Sequence, residues 1–169
     1  MKHKILLPAL AISLSGCMGQ VTKWTNEPFR VDESQAYATL YDGVAGPYED
    51  KAHINITTPL DDCETIKTKH DLKRGILFTR DKSTTAPQPP VKVPAGKPFY
   101  IEYQETSSEK YCIVHVVVSL DAGKHYTLVG GNTTVKGSVP ILFDKRGCNL
   151  GVFDNEAKSF IPYTSQLCK

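Results

Sequence analysis

The sequence predicts an all-β fold, an antiparallel β-sandwich, and three observations carry that prediction. Apolar and polar residues alternate with period two through most of the chain. Such segments recur every eight to fifteen residues with turn chemistry between them. No stretch holds a 3.6-residue apolar stripe for three turns.

Residues 18–50 are polar and rich in turn signals, among them Asn26-Glu27-Pro28, Asp42-Gly43 and Gly46-Pro47. Residues 17–35 read as a flexible tether, and the domain as 36–169, with a first strand opening at Ala36-Tyr37-Ala38-Thr39-Leu40-Tyr41. His53-Ile54-Asn55-Ile56-Thr57 alternates, with Ile54 and Ile56 facing inward. Asp61 to Lys73 is the best helical candidate and is polar nearly all round. Gly75-Ile76-Leu77-Phe78-Thr79 is a short apolar run. Ser83 to Pro98 carries five prolines, which removes ladder donors and makes it an extended connection or edge.

The second half is more regular. Phe99, Ile101 and Tyr103 alternate with Tyr100, Glu102 and Gln104. In Tyr111 to Leu120, the strongest strand, Cys112, Val114, Val116, Val118 and Leu120 share one face, and Ile113, His115, Val117 and Ser119 the other. Asp121-Ala122-Gly123-Lys124 is a turn leading into Tyr126-Thr127-Leu128-Val129. Gly130-Gly131-Asn132-Thr133-Thr134 reads as a mobile turn or loop. Two last strands, Pro140 to Phe143 and Cys148 to Phe153, flank a hairpin-like turn at Asp144-Lys145-Arg146-Gly147. Most of the eight tyrosines are expected to pack against the sheets.

The chain opens with a cationic Met1-Lys2-His3-Lys4 and an apolar run from Ile5 to Leu14. Ten residues rise roughly 15 Å as a helix, half of what a bilayer core requires, so this is the h-region of a secretory signal and not a spanning helix. Leu14-Ser15-Gly16-Cys17 is similar to a lipobox, the Leu-small-small-Cys motif of bacterial lipoproteins. The resemblance implies removal of residues 1–16 and acylation of Cys17, which would anchor the protein in a membrane. Met18 follows where an Asp would signal retention in the inner membrane. The resemblance therefore implies an outer-membrane lipoprotein facing the periplasm.

The chain of 169 residues carries 20 basic and 18 acidic side chains. Lys2 and Lys4 belong to the leader, so the remaining 153 residues balance 18 against 18. A neutral domain offers no electrostatic case for nucleic acid or for an anionic bilayer surface. Beyond Cys17, four cysteines remain, Cys63, Cys112, Cys148 and Cys168, and an even number in an oxidising compartment reads as two disulfides. Three connectivities are possible. The expectation is Cys63–Cys112 and Cys148–Cys168, the second tying down the C-terminus. No two of these cysteines have the close spacing that zinc sites favour.

Val93-Pro94-Ala95-Gly96-Lys97-Pro98-Phe99, Cys112, Asp121-Ala122-Gly123-Lys124-His125-Tyr126 and Cys148 together are similar to the small Ig-like β-sandwich lipoproteins of Gram-negative envelopes. In that family an Ala-Gly turn introduces a strand, and a second precedes a Tyr-led strand. The resemblance spans residues 90–155; it implies an Ig-like sandwich and no activity.

One motif hints at an enzyme. Arg146-Gly147-Cys148 is similar to part of the L,D-transpeptidase signature, which would make Cys148 a nucleophile. Lys145 stands where that signature has Ser, Leu150 where an Arg usually follows, and no His-Gly-Thr stretch supplies a base. A thiolate needs a base or positive field beside it. Cys112 and His115 are three apart, an odd offset that puts them on opposite faces of a strand. His53, His70 and His125 show no metal-ligand spacing and read as surface residues, with no metal or cofactor implied. The sequence reading is thus a non-enzymatic lipoprotein that binds another envelope protein, as an accessory subunit of an envelope or secretion machine. The alternative within that class is an immunity lipoprotein that neutralises an antibacterial effector delivered to the periplasm.

Overall fold

The computed structural model describes residues 23–45, 52–84, 86–106, 111–135 and 145–165. The leader 1–16, Cys17, the strand expected at Pro140–Phe143 and Cys168 lie outside the described residues. In chain order the elements are β1 (Lys23–Pro28), β2 (Tyr37–Val44), β3 (His53–Pro59), α1 (Cys63–Thr68), β4 (Asp71–Arg80), β5 (Val91–Pro94), β6 (Pro98–Thr106), β7 (Tyr111–Ser119), β8 (His125–Val135), β9 (Lys145–Asp154) and β10 (Ser159–Phe160). They form two five-stranded sheets packed as a sandwich, with order β1-β4-β3-β6-β7 in the first and β10-β9-β8-β2-β5 in the second.

The alternation read from the sequence sets the core. Ile54, Ile56, Phe99, Ile101, Tyr103, Val116 and Val118 of the first sheet meet Ala38, Leu40, Val93, Tyr126, Leu128 and Val152 of the second, all buried. Tyr126 buries its ring while its hydroxyl accepts a hydrogen bond from the Asp121 N–H at 3.0 Å, which closes the preceding turn. An ion pair and a disulfide cross between the sheets. Arg80 of β4 donates to the Asp42 carboxylate of β2 at 2.6 Å and to the Val44 carbonyl at 2.7 Å. Cys112 of β7 is disulfide-bonded to Cys148 of β9.

Several expectations are corrected. The sheets are mixed rather than wholly antiparallel: β1 runs parallel to β4, and β2 parallel to β8. Each of these pairs is joined through intervening strands, and a long crossover leaves strand direction free where a tight hairpin would not. Residues 23–28 are not part of a flexible tether. They form the edge strand β1, in which Trp24 lies beneath the Arg74 guanidinium at 4.0 Å, while Phe29, just beyond it, packs at a tilt on Phe99 with centroids 5.8 Å apart. An edge strand shows little alternation because both of its sides meet water, which is why it reads as a tether.

The disulfide pairing also differs. Cys112–Cys148 replaces both expected pairs, Cys63–Cys112 and Cys148–Cys168. Cys63 is itself disulfide-bonded. Which cysteines meet depends on which strands oppose each other across the sandwich, and spacing does not report that. The Gly130–Thr134 loop and the Lys145–Gly147 part of the turn belong to the long β8–β9 ladder, which runs from Tyr126↔Asp154 to Val135↔Lys145. A Cβ at Gly130 (φ 146°) would collide with the Asn149 carbonyl oxygen, so this glycine serves close strand approach and not a turn. Between Asp61 and Lys73 the helix is only Cys63–Thr68, capped by the Asp62 carboxylate on the Thr65 N–H at 2.7 Å.

Candidate interaction face

A strand has two faces, and here the second sheet turns an apolar one outward. Along β2 the residues facing away from the core are Tyr37, Thr39, Tyr41 and Gly43; along β8 they are His125, Thr127 and Val129; along β9, Gly151 and Phe153. The register aligns them in rows: Tyr41, Thr127, Phe153 and Phe160 lie side by side across four strands, and Gly43, Val129 and Gly151 form the next row. These positions carry no carboxylate, lysine or arginine; beside them on β5 the Lys92 ammonium sits 4.2 Å from the Tyr37 ring.

The rings are held by one another. Phe153 and Phe160 meet edge to face with centroids 5.4 Å apart. Tyr41 and His125 lie 5.9 Å apart and share a hydrogen bond between the hydroxyl and Nδ1 at 3.1 Å. A Cβ at Gly151 would press on the Phe160 ring at 3.2 Å, so the glycine lets that ring lie flat on the sheet. Even so, Phe160 is 61% exposed and Tyr163, just beyond it, 55%. Val129, Leu150, Phe160, Ile161 and Tyr163 surround a shallow cavity of about 240 Å³ at this end of the face. Tyr163 is placed by the chain crossing to the first sheet, where Thr164 exchanges backbone hydrogen bonds with Val117 at 2.7 and 3.1 Å.

The outer face of the first sheet carries charged and polar groups that engage one another, beside the exposed Ile113. Arg74 pairs with Glu102 at 3.2 Å, Tyr100 donates to the other Glu102 oxygen at 3.4 Å, and Tyr100 stacks on His115 at 5.8 Å. Burial first, and then the negative Glu102, push the Tyr100 hydroxyl well above the usual phenol range.

The residues singled out in the sequence are scattered. His53, His70, His115 and His125 are all exposed. Cys112 faces the core and His115 faces water, so the two do not meet. The Cys148 sulfur is committed to Cys112 and is not a thiolate. Among the described residues, no three His, Cys, Asp or Glu side chains gather as a metal site would require. No helix among them is long and apolar enough to cross a membrane.

Sequence reasoning missed the aromatic face itself. Of the tyrosines, Tyr103 and Tyr126 are buried and Tyr100 half-buried, whereas Tyr37, Tyr41 and Tyr163 are exposed. The available signal was the adjacent apolar pair: in Leu40-Tyr41, Leu128-Val129 and Val152-Phe153 only one member of each can point inward. Compared with known protein families, with curated proteins and with solved structures, the chain matches none.

Proposed function

We propose that this chain is a lipid-anchored, periplasm-facing protein of the outer membrane, without catalytic activity, whose second sheet docks another protein of the envelope. The observation that carries the docking is the uncharged aromatic row Tyr41-Thr127-Phe153-Phe160, extended by Val129 and Tyr163. Aromatic side chains on a rigid sheet present large contact area at little entropic cost, and contiguous exposed apolar surface of this kind marks interaction sites. The anchoring rests on the sequence, with Cys17 closing a lipobox behind a signal-like leader. Lys23 already belongs to β1, so the residues between it and Cys17 reach about 20 Å at most when fully extended. The domain would thus work close to the membrane that holds it.

Metabolic labelling with radioactive palmitate, followed by membrane fractionation, tests the anchor. Label in the outer-membrane fraction that disappears in Cys17→Ser supports the reading; an unlabelled, freely soluble chain contradicts it. Affinity capture from envelope extracts tests the docking. A protein retained by the lipidated wild type and lost with Phe160→Asp is the expected result, and equal retention by both would remove the aromatic face from the account.

A further inference from the structure

A second concave site lies away from the aromatic row, between the β1–β2 connection and the edge strand β5. It is a groove of about 580 Å³. Its floor is apolar, made by the half-buried Phe29, Val31 and Val91, and its exposed rim carries Tyr37, Arg30, Lys92 and Glu33. The floor is firmly built. Phe29 packs on Phe99 and donates its N–H to the Ile76 carbonyl at 3.0 Å, and Val91 pairs with Leu40 in the β2–β5 ladder. The connection above it is held by a turn in which the Asp32 carboxylate accepts from the Ser34 N–H at 2.9 Å and the Ser34 hydroxyl at 2.7 Å.

We propose that this groove binds one molecule of a single-chain anionic lipid, with its carboxylate or phosphate head between Arg30 and Lys92 and its hydrocarbon on the Phe29–Val31–Val91 floor. Three features support this occupant over others. The volume lies within the range of about 300–1,000 Å³ typical of small-molecule sites and is too small for a folded partner. Among the described residues, neither Arg30 nor Lys92 is in an ion pair, so two cations stand against the single rim carboxylate of Glu33. A guanidinium and an ammonium lining the same groove as Phe29, Val31 and Val91 match an anionic head joined to an apolar tail. A neutral apolar ligand would leave Arg30 unpaired and Lys92 with only the Tyr37 ring, and a small hydrophilic anion would leave the floor wet.

The test is calorimetric titration of residues 17–169 carrying Cys17→Ser, so that neither acyl chains nor the apolar leader compete. The probes are dodecanoate, dodecyl phosphate and dodecanol, each below its aggregation threshold. The expected result is saturable binding of both anions at one per chain, with dodecanol at least about tenfold weaker, the loss that follows from removing one charged hydrogen-bonding partner. Replacing both cations (Arg30→Ala with Lys92→Ala) should weaken dodecanoate by about tenfold or more. Both side chains are exposed, so an unchanged melting temperature is expected and separates loss of the site from loss of the fold. Glu33→Gln should strengthen binding of the anions and leave dodecanol unaffected. Absence of saturable binding, equal affinity for dodecanol, or association only with phosphatidylglycerol vesicles and not with the monomeric probes would overturn the proposal.

Discussion

The two outer faces of the sandwich are built from the same alternation and end in opposite chemistry. On the first sheet Arg74, Glu102, Tyr100 and His115 engage one another, and Trp24 shelters the guanidinium. On the second sheet Tyr41 meets His125 and Phe153 meets Phe160, yet Tyr41 is 36% exposed and Phe160 61%. A lone exposed apolar side chain, such as Ile113 on the first sheet, is ordinary; a row across four strands is not. The polar groups of the first face engage one another, and the second is the face we propose a partner covers. The same alternation sets both, but the identity of the outward residues differs between them.

Breaking the body that holds the faces back to back gives the largest expected effect. Cys112→Ala with Cys148→Ala removes a cross-link between residues 36 apart, which should cost about 3 kcal/mol in urea unfolding. Asp42→Asn leaves Arg80 facing the core without its carboxylate and should cost a similar amount, about 3 kcal/mol. A much smaller loss from either would mean that the sheets do not depend on these links.

Next comes the aromatic face. Phe160→Ala and Tyr41→Ala should each weaken partner binding by about 2 kcal/mol while changing unfolding stability by less than about 0.5 kcal/mol. Ile113→Ala should leave partner binding unchanged. The polar face should show the inverse pattern. Glu102→Gln leaves Arg74, only 19% exposed, without its ion pair, and should cost about 1 kcal/mol of stability with no effect on binding.

The smallest effects are those of pH. The Tyr100 hydroxyl ionises with more difficulty in the folded protein than in the unfolded chain, so the unfolded chain loses its proton first as pH rises past about 10. Stability from this residue is therefore full below that pH and is lost above it, and Tyr100→Phe should flatten the alkaline fall in melting temperature. At the acid end, Asp154 is held below the usual carboxylate range by the Ala157 N–H, the Glu156 N–H and Lys124. Its contribution is present above the ordinary carboxylate pKa and lost as pH falls through its own lower value, so Asp154→Asn should reduce the acid dependence of the melting temperature.

Much of this architecture was legible from pattern alone. Ile54 and Ile56, the Phe99–Tyr103 alternation and the Cys112–Leu120 face were read correctly, because burial on one side of a strand forces period two. β1 was hidden because an edge strand needs no alternation. The Gly130-Gly131 step resembled a turn because glycine serves turns and close strand approach alike. The Cys112–Cys148 pairing and the aromatic row were hidden for one shared reason. Both depend on which strands lie opposite or beside each other, and local sequence does not encode that order.

The central claim is that the second sheet, and not the first, faces a partner. Photo-crosslinking in intact cells tests it most directly, with benzoylphenylalanine placed at Phe160 in one strain and at Ile113 in another. A discrete, light-dependent adduct to another envelope protein is expected from position 160 and none from position 113. An adduct from position 113, with position 160 silent, would contradict it.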